Sequence, residues 1–161
     1  MKYLHRDIIK QRATILFVLC ITSFGVQAAD IQGIAGYTLG EILDKKQVKI
    51  ESRTDDGATV YSVNPLNAEQ LVNILTLRIT GNGQIHRISA FSSVLTAAEC
   101  QTQMTQLRIQ TEKQVPKLGY YAMDQSEMFY QDDRTYTLEC ITTEDGIRLR
   151  QEYSDDKLAT Q

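Results

Sequence analysis

Apolar and polar residues alternate along much of this chain with the period of two that marks a β-strand with one buried face. Residues 48–53 and 58–63 flank Asp55-Asp56-Gly57, and residues 72–80 and 84–92 flank Gly81-Asn82-Gly83. Asp-Gly and Asn-Gly supply the positive φ angles that tight hairpin turns require, so each pair is expected to form a β-hairpin. A third hairpin is expected where residues 134–142 and 147–153 flank Glu144-Asp145-Gly146, with residues 127–131 as a further strand turned at Asp132-Asp133. In that hairpin Tyr136, Leu138 and Cys140 share one face, as do Ile147, Leu149, Gln151 and Tyr153 on the neighbouring strand. Arg148, Arg150 and Glu152 take the opposite, solvated face. A sheet with one wet face needs a single cover.

Between the second and third hairpins the spacing changes to three and four. Ala97, Cys100, Met104, Leu107, Thr111 and Val115 trace one stripe of a helix over residues 97–115. Thr96-Ala97-Ala98-Glu99 has capping-box spacing, in which the Thr96 hydroxyl accepts from the Glu99 N–H while Glu99 reaches back. Pro116 cannot continue the helix, and Gly119 follows as a stop. Residues 34–43 allow a short helix over 40–45 capped by Thr38, although Gly40 weakens it. Residues 155–161 read as a frayed polar tail. The expected fold is therefore α+β: an antiparallel sheet of six or seven strands with one main helix packed on one face. This helix-plus-meander organisation is similar to small periplasmic modules such as BLIP-like and BamE-like domains. The resemblance is one of organisation alone, and it carries over no functional residue.

The N-terminus breaks the pattern. Lys2, Arg6, Lys10 and Arg12 lead into an apolar run over residues 13–26, and Val26-Gln27-Ala28 follows as a small-residue cleavage pattern. That order reads as a secretory signal peptide over residues 1–28. The run is shorter than the roughly 18 to 20 residues that span a bilayer, so no stable membrane anchor is expected after cleavage. A single domain over residues 29–154 and the polar tail 155–161 remain. The mature chain then has 133 residues and carries 13 basic against 19 acidic groups, a net charge of −6. Nucleic acid and anionic lipid reward clustered Lys and Arg, so neither is an expected partner.

Cleavage also removes Cys20, and Leu19 before it does not fit a lipid-attachment pattern. Cys100 and Cys140 are left. In an exported domain the pair is expected to form one disulfide, joining the helix stripe to the inward face of a strand. Closing a loop of this length stabilises the fold by roughly 4 kcal/mol on the chain-entropy model.

Candidate chemistry is sparse. A Ser or Cys nucleophile usually needs a neighbouring histidine, and His86, within the expected strand 84–92, is the one that survives cleavage. It reads as structural or superficial. Asp55-Asp56, Asp132-Asp133 and Asp155-Asp156 are adjacent pairs, whereas a calcium loop needs alternate oxygens, so no metal site is expected. Gly33, Gly36 and Gly40 do not make a phosphate-cradling motif, and no cofactor is expected.

The aromatic residues are the suggestive feature. Tyr120, Tyr121, Phe129 and Tyr130 cluster between the helix and the last hairpin, with Tyr136 and Tyr153 near them. Tyrosine joins a rigid apolar surface to a hydroxyl, which suits both cores and interfaces. Adjacent side chains cannot easily both turn inward, so Tyr120-Tyr121 is the pair expected at the surface, and Tyr120, Tyr121 and Tyr130 are the candidate partner-binding residues. The sequence points to a periplasmic or secreted, non-catalytic binding protein whose partner is another protein of the envelope or exterior. A small-ligand or cell-wall glycan binder using the tyrosines is the alternative, and a carboxylate-based hydrolase the third reading.

Overall fold

The computed structural model describes residues 30–54, 58–67, 72–115 and 118–161; the expected signal peptide, the Asp55-Asp56-Gly57 turn and the expected helix stop at Pro116 lie outside the described residues. Two strands open the described chain, β1 (Gly33–Ile34) and β2 (Tyr37–Thr38). Four follow as a meander: β3 (Val48–Arg53), β4 (Thr59–Val63), β5 (Ile74–Ile79) and β6 (Ile85–Phe91). Helix α1 (Ala97–Gln114) leads to a second meander of β7 (Gly119–Met123), β8 (Ser126–Gln131), β9 (Arg134–Thr143) and β10 (Gly146–Asp155), closed by the short helix α2 (Asp156–Ala159).

The two meanders join into one antiparallel sheet of eight strands, in the order β3-β4-β5-β6-β10-β9-β8-β7, with β1 and β2 forming a separate two-stranded sheet. The seam is the pairing of the last strand of each meander, with Gln151 opposite Ala90 and Tyr153 opposite Ile88. The large sheet thus has eight strands where six or seven were expected. The extra strand is β7, at the sheet edge. Its sequence, Gly-Tyr-Tyr-Ala-Met, does not alternate, because an edge strand with four exposed residues has no deeply buried face to impose a period of two.

Register places Leu77, Ile88, Tyr153, Tyr136, Phe129 and Tyr120 in one cross-strand row on a single face. That face is covered in two pieces. Over the second meander lies α1, which contacts β9 and β10. Its capping box forms as the sequence indicates: the Glu99 N–H donates to the Thr96 hydroxyl at 3.2 Å and the Thr96 N–H donates to the Glu99 carboxylate at 2.8 Å. Cys100 and Met104 on its stripe are buried, and Cys100 is disulfide-bonded to Cys140 of β9. A disulfide in this core is consistent with an oxidising, extracellular compartment.

Over the first meander the cover is mainly the irregular segment before β3, with the short α2 against β6. Ala35 (φ 57°) and Gly36 (φ 89°) both take left-handed conformations, which turn residues 33–38 into the β1–β2 hairpin. The expected helix over 40–45 is replaced by a single 3₁₀ turn, Lys45–Gln47, capped by Asp44 rather than Thr38. Ile34, Tyr37, Leu39 and Leu43 pack from this segment into the core with Tyr61, Leu75, Leu77 and Ile88. The Tyr37 hydroxyl, in the core but for an edge, donates to the Asn64 carbonyl at 3.0 Å.

Residues 155–159, expected as part of a polar tail, form the end of β10 and helix α2. Asp155 is buried, pairs with Arg134 at 3.1 Å and accepts from the Leu158 N–H at 2.9 Å, which caps α2. Among the described residues, no helix is long and apolar enough to cross a membrane.

Candidate functional site

The uncovered face of the eight-stranded sheet is where chemistry-bearing side chains collect. Register sets three rows across it. The upper row runs Ile74, Phe91, Arg150, Glu139, Ser126; the middle one Ser62, Thr76, Ser89, Glu152, Thr137, Met128, Tyr121; the lower one Arg87, Ser154, Thr135, Tyr130.

The centre is charged. Arg150 hydrogen-bonds Glu139 and lies 4.0 Å from Glu152. Glu152 also faces Arg87 at 3.9 Å and accepts from the Ser89 hydroxyl at 2.9 Å. Arg78, opposite Arg87 in the β5–β6 register, adds a third arginine. A cavity of about 420 Å³ opens here, lined by Thr76, Arg78, Arg87, Ser89, Arg150 and Glu152 among others. Among the described residues, three arginines stand here against the two carboxylates Glu139 and Glu152. The Nε atoms of Arg87 and Arg150 are buried without a hydrogen-bond partner, leaving donor capacity unused. At the rim, Arg148 donates to the Ser92 carbonyl at 2.7 Å and to Asp145. Hydrogen bonds from Arg148, then Thr143, hold the Asp145 carboxyl down at about 2.

To one side lies an apolar patch. Tyr121, Met123, Met128 and Tyr130 are exposed, Tyr121 at 57% and Tyr130 at 49%. Tyr121 sits directly opposite Met128. The Tyr130 ring lies across Gly119: a Cβ there would come within 2.0 Å of ring carbons, so a larger residue would displace the ring from this position.

The tyrosines therefore divide. Tyr121 and Tyr130 point to the open face. Tyr120 goes to the covered face, where its ring meets Phe129 at 5.2 Å. Phe129 stacks on Tyr136 at 5.9 Å and Tyr136 on Tyr153 at 4.4 Å, forming an aromatic ladder across four strands. The buried Tyr136 hydroxyl donates to the Gln151 carboxamide at 2.8 Å. Tyr120 stays 42% exposed at the edge, near Arg108 of α1, and it and the nearby Glu127 hold the guanidinium more firmly charged. Tyr120 and Tyr121 both reach the surface, but on opposite sides of the sheet.

The alternation placed Arg148, Arg150 and Glu152 on a solvated face and did not connect them with Glu139, Arg78 and Arg87. The link is the β6–β10 seam, which pairs residues about 60 positions apart and has no local signature. A charged or polar residue at every second position of both strands was the available signal.

His86 is neither in the core nor free at the surface. Ile79 pairs with Ile85 and Arg78 with Arg87, so His86 is the extra residue of a β-bulge. Burial, reinforced by Arg87 and Arg78 and opposed by Asp155, lowers its pKa and favours the neutral imidazole. Its Nδ1 is buried without a hydrogen-bond partner. Among the described residues no group of three or more His, Cys, Asp or Glu is placed to hold a metal. No protein-family model, curated protein or solved structure matches this chain significantly, so the site must be read from its own geometry.

Proposed function

We propose that this is a small exported, non-catalytic binding protein whose open sheet face docks a protein of the envelope or exterior. The observation that carries the reading is the juxtaposition of the exposed Tyr121, Met123, Met128 and Tyr130 with the arginine-rich centre at Arg78, Arg87 and Arg150. Tyr, Met and Arg are the residues enriched in the buried centres of protein interfaces. The aromatic patch supplies desolvated area, and the partly exposed guanidinium groups of Arg87 and Arg150 supply polar anchors for carboxylates or carbonyls of the partner. The carboxylates of the face support binding rather than hydrolysis, since Glu139 and Glu152 are both engaged by arginine. Export rests on the signal-peptide pattern, and the Cys100–Cys140 bond suits the compartment to which it would lead.

The test is affinity capture from envelope extract with mature, oxidised protein, comparing wild type with Tyr121→Ala/Tyr130→Ala. A protein retained by wild type and lost by the double variant, at an unchanged melting temperature, supports the reading. The same proteins retained by both would remove the open face from the function.

A further inference from the structure

The free edge of the large sheet is a different surface from its open face. Strand β7 ends the sheet and, among the described residues, pairs with β8 alone. The Cys140 N–H donates to the Gln125 carbonyl at 3.1 Å, which makes Ser126 and Glu139 a pair without mutual hydrogen bonds. By alternation Ser126, Met128 and Tyr130 turn their backbone groups to β7, where they meet Met123, Tyr121 and Gly119. The N–H and C=O of Tyr120 and Ala122, which lie between, point outward from the sheet. An edge of this kind is a template for another strand.

The two ends of the sheet are finished differently. Strand β3, at the far end, carries Lys49, Glu51 and Arg53 at alternate positions and a bulge between Val48 and Ile50. Charges and bulges are the devices that deter edge pairing. Strand β7 is uncharged and runs in unbroken register with β8. Its Tyr120, Tyr121 and Met123 are exposed.

We infer that β7 pairs antiparallel with the β7 of a second copy, about a two-fold axis through Tyr121. In that register Tyr120 faces the second copy's Ala122, and their outward N–H and C=O groups exchange hydrogen bonds. Met123 falls opposite the second copy's Gly119, where the missing side chain leaves it against the ring that lies across that glycine. Large side chains thus meet small ones, and Tyr121 lies beside its own copy. The contact brings no charged strand residue against its like, although the chain as a whole is acidic. Because the same edge serves both copies, the pairing closes at a dimer. The open face stays open and continues across the axis, so the two Tyr–Met patches adjoin. The pairing does not rest on the docking of another protein, because it is measured on the purified chain alone.

The experiment is sedimentation of mature, oxidised protein from about 1 μM to about 1 mM, the range of moderate to weak association. A reversible monomer–dimer equilibrium with no larger species is expected. Ala122→Pro deletes an outward N–H that β8 does not use, and Ala122→Lys adds a charge at an exposed edge position. Each should weaken dimerisation at least about tenfold at an unchanged far-ultraviolet dichroism spectrum. Register is read by cysteine: Tyr121→Cys should give a disulfide-linked dimer, because directly opposed residues lie within disulfide reach. Met123→Cys, on the same face but off the axis, should not. The linked dimer has twice the mass of the chain and is thereby distinct from an adduct with another protein. A monomer at every concentration would overturn the inference. So would undiminished dimerisation in both folded Ala122 variants, or linkage through Met123→Cys equal to that through Tyr121→Cys.

Discussion

The covered and open faces of the second meander are built from alternate residues of the same strands and are finished in opposite ways. On the covered face Phe129 and Leu138 are fully buried, the rings of Tyr120, Phe129, Tyr136 and Tyr153 form a ladder, and α1 is tied down by the Cys100–Cys140 bond. On the open face Tyr121, Met128 and Tyr130 have no cover, although they are the same kinds of residue. Aromatic and sulfur-containing side chains therefore do not report their role by type. What separates the stabilising group from the available group is one step along a strand. In an extended chain that step reverses the direction of the side chain.

Substitutions on the two faces should separate in effect. Phe129→Ala should be the most damaging, costing about 3 to 5 kcal/mol of unfolding free energy in urea, because it opens a cavity in the ladder. Replacing Cys100 and Cys140 together by Ala should cost about 2 to 5 kcal/mol by the same measurement. Thiol titration of the mature, non-reduced wild type should find no free thiol; two titrating thiols would refute the linkage between helix and sheet. Thr96→Ala, which removes the cap of α1, should cost about 1 kcal/mol.

A smaller effect tests the edge of the covered face. Glu127, its side chain 12% exposed, faces Arg108 at 3.9 Å, and its Oε2 has no hydrogen-bond partner. Burial raises its pKa against the opposing pull of Arg108, with Glu112 adding to the rise. The folded state then holds this proton more tightly than the unfolded chain. The stabilisation is present below the unfolded pKa and is lost as pH rises through the folded one. Glu127→Gln should therefore be as stable as wild type or slightly more so at pH 7, and the difference should vanish near about pH 4. A variant clearly weaker at pH 7 would show that the Arg108 pair outweighs burial. The smallest stability change belongs to the open face: Tyr121→Ala should move unfolding by no more than about 0.5 kcal/mol.

Much of the framework was legible in local sequence. Hairpin turns at Asn82-Gly83 and Asp145-Gly146, the Thr96–Glu99 box and the cysteine pair are short-range or compositional signals, and the structure contains what they indicate. The first cover was not legible, because it depends on the fully buried Ala35 adopting a positive φ that alanine seldom takes. The candidate site was legible only in part. Tyr121 and Tyr130 were visible as residues, but the edge strand that separates Tyr121 from Tyr120 has no alternation to announce it. The Arg78, Arg87 and Arg150 cluster depends on a seam between distant strands. His86 lines a cavity because of a bulge, a register change that no single residue declares.

The contrast between Tyr120 and Tyr121 offers the most direct test. A photo-reactive benzoylphenylalanine placed at one position or the other, in cells exporting the protein, samples opposite faces of one strand. Open-face docking predicts a discrete cross-linked protein adduct from position 121 and none of that size from position 120. Equal adducts from both positions, an adduct from 120 alone, or none from either would contradict it.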